Sequence, residues 1–286
     1  MPLAAVGQLC STSNVAHNAR LCTSIIRRAA AAQAQLVFLP EASDYIASPE
    51  EGRKLMRPLD EKGGFVEEMR RQARESKVWV GVGVHEKATE EKCYNTNLLI
   101  SPSGEIAQAY RKLHLFDVHS QGSPIVLESN TTIRGDELLD PVETSIGKVG
   151  LQTCYDLRFA ETALMLRRKG AEVITYPSAF TTRTGPPHWE VLLRARAIET
   201  QCYVLAPAQV GAHSETRSSY GHAMIVSPWG DVIAQCADRF PKYPPNEDED
   251  DVGQFVLAEI ELGWLEKVRR DMPLWEQRRG DVYPIL

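Results

Sequence analysis

The sequence predicts an α/β domain with mixed sheets inside and helices outside. Three observations support this class. Strand-like and helix-like segments alternate early in the chain, strand-like runs accumulate later, and no Gly/Ser-rich linker divides the 286 residues.

The elements follow in order. PLAAVGQL reads as a strand, and Ser13 or Asn14 caps an Ala-rich helix running to about Ala34. LVFLPE (36–41) is a continuous apolar run ending in a carboxylate, the pattern of a strand buried on both faces. Residues 42–62 are polar and read as irregular. FVEEMRRQARES reads as a helix and KVWVGVGV as a strand. NTNLLISPSGEIAQAYRKLHLFD reads as two strands joined by a Ser-Pro-Ser-Gly turn. Residues 117–141 have few apolar repeats and are expected to form a long surface loop.

GKVGLQTCYD reads as a strand ending in polar residues, and FAETALMLRRKG as a helix closed by Gly170. AEVITYPSAF reads as a strand, TTRTGPP as a loop and HWEVLLRARAIET as a helix. CYVLAPAQV, HAMIVSPWG, DVIAQCA and FVLAEIE read as further strands. LGWLEKVRRDM is a short helix before an irregular tail, about 271–286. The acidic stretch PPNEDEDD (244–251) reads as a solvated loop. The whole is read as one domain, 1–286.

Composition narrows the function. The net charge of −6 argues against a nucleic-acid or anionic-membrane partner, and no apolar run approaches the ~20 residues of a membrane helix. The six cysteines are dispersed, without metal-site spacing or the density of a secreted disulfide scaffold. No cofactor or metal is indicated, and no glycine fingerprint for phosphate is found. The N-x-T at 130–132 is read as a chance match. The N-terminal segment has no signal or transit features. A cytoplasmic location is expected, with a mitochondrial copy left open.

Three residues occupy equivalent places: Glu41, Lys112 and Cys154 each stand at the end of a predicted strand. Carboxyl ends of strands gather around the site in α/β sheets. A thiol nucleophile needs a base for its proton and donors for the oxyanion it creates. A carboxylate, an ammonium and a thiol meet that need, with the backbone N–H of Tyr155 as a second oxyanion donor. Singly, each has an ordinary reading: a core thiol, a capping glutamate, a solvated lysine.

LPEASDY, YRKLHLFDV and CYDLRF resemble the signature stretches of the nitrilase superfamily, the carbon–nitrogen hydrolases. YPSAFTTRTGPPHWEVLLRARAIETQCYV and SYGHAMIVSPWG extend the resemblance over nearly the whole chain. It implies a four-layer α-β-β-α sandwich, a homodimer formed through outer helices, and a triad carried by Glu41, Lys112 and Cys154. Glu128 matches an assisting glutamate. Within the superfamily the chain is similar to the deaminated glutathione amidase branch, in its fungal form. That branch cleaves a small-molecule amide to 2-oxoglutarate and cysteinylglycine. Carried over, Arg158, Phe180, Thr181 and Thr184 would bind the keto acid end. Arg158 alone could equally pair with Asp156 or Glu161. Ala160 and Pro187 depart from the family pattern at two helix starts. Competing readings are an ω-amidase acting on 2-oxoglutaramate, a papain-like thiol hydrolase using His188 or His222, a nitrile hydrolase, and an inactive scaffold of the same fold.

Overall fold

The computed structural model describes residues 2–118, 126–237 and 253–284. The acidic stretch 244–251 lies outside the described residues. Among the described residues six α-helices flank two mixed sheets: α1 (Val15–Ala31), α2 (Pro49–Leu55), α3 (Phe65–Ser76), α4 (Ala160–Arg168), α5 (Gly185–Thr200) and α6 (Leu262–Asp271).

The first sheet runs 218–220, 208–212, 3–9, 34–38, 79–87, 93–100, 106–111, with 254–259 also paired to 3–9 and 132–133 to 93–100. The second runs 232–235, 224–226, 203–206, 173–175, 147–151, 142–144. Each has a parallel centre and antiparallel margins.

The pleat sorts side chains between two cores. Ala4, Val6, Leu36, Phe38 and Leu99 face a core shared with Val149, Leu151 and Ile174 of the second sheet. Their sequence neighbours Ala5, Val37, Leu39, Leu98 and Ile100 pack with Leu21, Ile25, Ile26 and Met69 of α1 and α3. On the far side, Leu166 of α4 and Trp189 and Leu193 of α5 complete the core. The result is the four-layer α-β-β-α sandwich.

Local signals place the helices. Asn14 accepts the His17 N–H at 3.1 Å and starts α1. Its buried residues Leu21, Cys22, Ile25, Ile26 and Ala29 form one stripe. Residues 65–76 form α3 with the expected bounds.

The structure corrects several expectations. Residues 42–62 contain α2, started by Pro49 and a capping box between Ser48 and Glu51. The expected loop 117–141 contains short strands at 117–118, 126–127 and 132–133 and a 3₁₀ turn at 128–130. Further short strands occur at 142–144 and 218–220. The run CYVLAPAQV is two strands in different sheets, 203–206 and 208–212. Pro207 between them has no N–H for a ladder. Helix α5 begins at Gly185, so Pro186 and Pro187 sit within its first turn, where a missing N–H costs nothing.

Candidate active site

Strands 34–38, 147–151 and 173–175 end at one edge of the sandwich, and the site is built just beyond them. Glu41 lies three residues past its strand, and Cys154 three past Leu151, so neither closes a strand as expected. Lys112 directly follows Arg111, the last residue of its strand.

Glu41 is held by a turn laid against strand 79–87. Leu39 N–H donates to Gly81 O at 2.8 Å, Gly83 N–H to Pro40 O at 3.1 Å, and Ser43 N–H to Gly83 O at 2.9 Å. A Cβ on Gly83 would meet Glu41 Cα at 2.5 Å, so the approach requires glycine. From the other side, the buried Gln209 amide donates to Glu41 O at 3.0 Å and Ala42 O at 3.2 Å.

The side chains converge. Lys112 Nζ donates to Glu41 Oε1 at 3.0 Å and to Glu128 Oε2 at 2.9 Å. Asn95 Nδ2 donates to Glu41 Oε1 at 2.8 Å and Glu128 Oε1 at 3.0 Å. Ala179 N–H fills Glu41 Oε2 at 2.8 Å, and Phe116 N–H fills Glu128 Oε2 at 2.7 Å. The Cys154 thiol is buried beside Glu41, close enough for that carboxylate's charge to push it up. Glu41, Lys112 and Cys154 are 5%, 2% and 8% exposed, so these charges meet largely without water.

Burial and the neighbouring charges together set the protonation states. Burial works to raise the Glu41 carboxyl, but the Lys112 charge and bonds from Cys154, Lys112 and Asn95 outweigh it and hold the group below its ordinary value. Burial opposes the Lys112 ammonium, yet Glu128 and Glu41 together keep it well above the usual lysine range. Burial and the Glu41 charge push the Cys154 thiol far up, offset in part by Lys112. The resting set is a carboxylate beside a thiol, rather than a preformed thiolate. Such a set can transfer the proton as sulfur attacks.

Cys154 opens a 3₁₀ turn, Cys154–Arg158, with φ of 45°. A non-glycine residue there stores about 1–3 kcal/mol of strain, a feature that clusters at working sites. Its own N–H donates to Pro177 O at 3.1 Å. Tyr155 follows in the first turn, where amides lack a partner within their own turn.

Arg158 forms no ion pair among the described residues, so neither expected acid holds it. Its guanidinium lies 5.5 Å from both the Tyr155 and Phe180 ring centroids and donates to His188 Nδ1 at 3.1 Å. Phe180 packs on Trp189. Thr181 and Thr184 bond each other through their hydroxyls at 2.9 Å. His188 thus touches Arg158, and His222 Nδ1 contacts Tyr220 O.

Sequence reasoning missed Asn95, Gln209 and the Ala179 amide. Asn95 did carry a signal, as an asparagine inside a strand-like run, where that residue is depleted. Among the described residues no group of three or more His, Cys, Asp or Glu is placed to hold a metal ion, and no helix is long and apolar enough to cross a membrane.

The carbon–nitrogen hydrolase profile matches residues 3–245. The deaminated glutathione amidase of Bos taurus is 46% identical over 99% of this chain and 84% of its own. The "Probable hydrolase nit2" of Schizosaccharomyces pombe is 45% identical over the full length of both. The crystal structure of the Caenorhabditis elegans NitFhit protein superposes with a TM-score of 0.90 at 40% identity. That match covers 99% of this chain and a little under two thirds (66%) of the other.

Proposed function

This chain belongs to the carbon–nitrogen hydrolase family, and on that premise we propose that it hydrolyses the amide of deaminated glutathione to 2-oxoglutarate and cysteinylglycine. One observation carries the chemistry: a buried carboxylate held by a buried ammonium at 3.0 Å, with the buried Cys154 thiol beside them and within reach of both charges. The similarity to a named deaminated glutathione amidase over nearly the whole chain supports the substrate.

In this reading Glu41 takes the Cys154 proton as sulfur bonds to the amide carbon. The carbonyl oxygen becomes an oxyanion, held by Lys112 and the Tyr155 N–H. Lys112 Nζ contacts Glu41 Oε1 and both oxygens of Glu128; one N–H shared between the two Glu128 oxygens leaves the third of its three N–H groups for the oxyanion. Collapse breaks the C–N bond, and Glu41 returns its proton to the departing amine. Water then attacks the thioester. Glu41 accepts the water proton and passes it to the leaving sulfur. Glu128 and Asn95 keep the ammonium and Glu41 in place. Losing one oxyanion donor costs about 3 kcal/mol, so truncating Lys112 would slow turnover about a hundredfold or more.

Arg158 suits the keto acid end. A guanidinium free of acid partners can take a carboxylate through two parallel bonds, and Phe180, Thr181 and Thr184 stand beside it in this reading. We read residues 1–286 as one domain, because both sheets share a core. Val191 and Ile198 lie exposed two turns apart on α5, and the turn at Trp229 and Gly230 packs on Ile198. This apolar face supports a homodimer through outer helices. Six free, buried thiols support a reducing compartment such as the cytoplasm.

The test is turnover of deaminated glutathione beside 2-oxoglutaramate by the purified protein. A higher kcat/KM for deaminated glutathione is expected. Preference for the small amide would assign an ω-amidase, and turnover of neither would assign an inactive scaffold.

A further inference from the structure

Asp156 stands two residues past Cys154, fully buried, and the reaction above does not use it. Its carboxylate accepts four hydrogen bonds. Tyr110 Oη donates to Oδ2 at 2.8 Å and Thr153 N–H to Oδ2 at 3.0 Å. His114 N–H donates to Oδ1 at 3.0 Å and His114 Nδ1 to Oδ1 at 2.7 Å. A carboxylate only accepts, so His114 Nδ1 carries the proton.

The donors come from two segments. Tyr110 and His114 bracket Lys112, two residues before and two after it. Thr153 immediately precedes Cys154, and Asp156 itself belongs to the strained turn that Cys154 opens. The His114 ring also stacks on Phe159, at 3.7 Å between centroids and 10° between planes, at the end of the same turn. Strand 106–111 belongs to the first sheet and strand 147–151 to the second. No ladder pairs them among the described residues, and this carboxylate is one of the polar links between the two sheets, beside Asn97 Nδ2 to Gln152 O at 3.1 Å.

We propose that Asp156 is a positioning residue that clamps the Lys112 segment of one sheet to the Cys154 turn of the other and so sets the ammonium–thiol distance. The proposal rests on the reading of Lys112 and Cys154 as reacting groups. The geometry gives each end a separate handle. Oδ1 holds the segment after Lys112. Oδ2 holds Tyr110 before it and the amide before Cys154. Asparagine at 156 keeps the shape but puts an NH₂ against donors, which breaks at least one end. Phenylalanine at 110 removes a single donor and leaves the ring in place.

The experiment compares wild type, Asp156→Asn, Tyr110→Phe and Cys154→Ala. It measures kcat and KM on deaminated glutathione, the rate of Cys154 alkylation by iodoacetamide against pH, and thermal unfolding. Expected for Asp156→Asn are kcat lower by tenfold or more, KM within about threefold of wild type, and an alkylation profile moved to higher pH as the ammonium leaves the sulfur. Tyr110→Phe moves all three readouts in the same direction by a smaller amount. Either variant with a lower unfolding temperature but wild-type kcat and an unmoved alkylation profile would overturn the proposal. If Asp156→Asn does not fold, Tyr110→Phe decides by the same criteria. Full activity of Cys154→Ala would instead defeat the reading of the reacting groups. The alkylation profile does not depend on turnover and separates the two failures.

Discussion

Lys112 Nζ lies 3.0 Å from Glu41 Oε1, although 71 positions separate the two residues in the chain. Both are almost fully buried, and Glu128 shares the ammonium. Burial, together with the Glu41 charge, keeps the Cys154 thiol protonated at rest, and Lys112 keeps Glu41 ionised beside it.

The acid limb of kcat/KM reports the base in the free enzyme. Because Glu41 is held below its ordinary value, activity is expected to persist to below about pH 4.3, the usual glutamate midpoint. The sign for stability is the same. The stabilisation from ionised Glu41 is present above its unfolded value and is lost as pH falls through the lower folded one. Asn95→Leu removes one of the bonds that depress Glu41, so the limb moves up in pH, with about a tenfold loss of kcat/KM. A pH–rate profile for both proteins checks this, and a wild-type limb near neutrality contradicts it.

Gly83→Ala tests the support beneath Glu41. Its Cβ would meet Glu41 Cα at 2.5 Å and Pro40 O at 2.9 Å, both backbone atoms that cannot swing aside. Displacing the base by a fraction of an ångström to 1 Å costs up to about a hundredfold in rate. Turnover is expected to fall by at least tenfold, with overpacking costing about 1–3 kcal/mol of stability. Gly263→Ala, with nothing within 4 Å, is the control and leaves turnover unchanged.

Arg158→Lys separates binding from folding. Arg158 has no carboxylate partner among the described residues, so its replacement shifts the unfolding temperature little. Losing a bidentate charged contact of about 1.5–3 kcal/mol raises KM about tenfold to a hundredfold. Steady-state kinetics on the keto acid substrate check this, and an unchanged KM removes Arg158 from the substrate site.

His213 makes stability depend on pH. Its ring lies behind the Glu41 turn, with Nδ1 2.8 Å from Ser11 O and Nε2 2.8 Å from Ser219 Oγ. Burial, then the Arg217 charge, lowers it to about 4. The neutral ring is therefore favoured by folding. Its contribution is complete above the unfolded value of about 6.5 and is lost as pH falls toward 4, about 3 kcal/mol in all. Denaturant titrations at pH 7 and pH 4 measure it, and His213→Gln removes that part of the slope.

Glu41, Lys112 and Cys154 were legible in the sequence because each stands next to a strongly patterned strand. Helix 65–76 was legible from its apolar periodicity, although Gly64 at its start supplies no side-chain cap. What stayed hidden depends on partners distant in the chain. Strands of two or three residues, such as 117–118 and 132–133, carry too little pattern to register. The division of 202–210 between two sheets was marked only by Pro207 inside an apolar run. Asn95, Gln209 and Asp156 act through hydrogen bonds to residues 33 or more positions away, Asp156 adding one to nearby Thr153.

The most direct test is the covalent intermediate. The protein is mixed with deaminated glutathione, quenched in acid during turnover and digested for peptide masses. A 2-oxoglutaryl thioester on the peptide containing Cys154 is predicted, absent from Cys154→Ala, which is expected to be inactive. Turnover by Cys154→Ala at the wild-type rate, or an acyl group carried only by a different residue, would contradict the account.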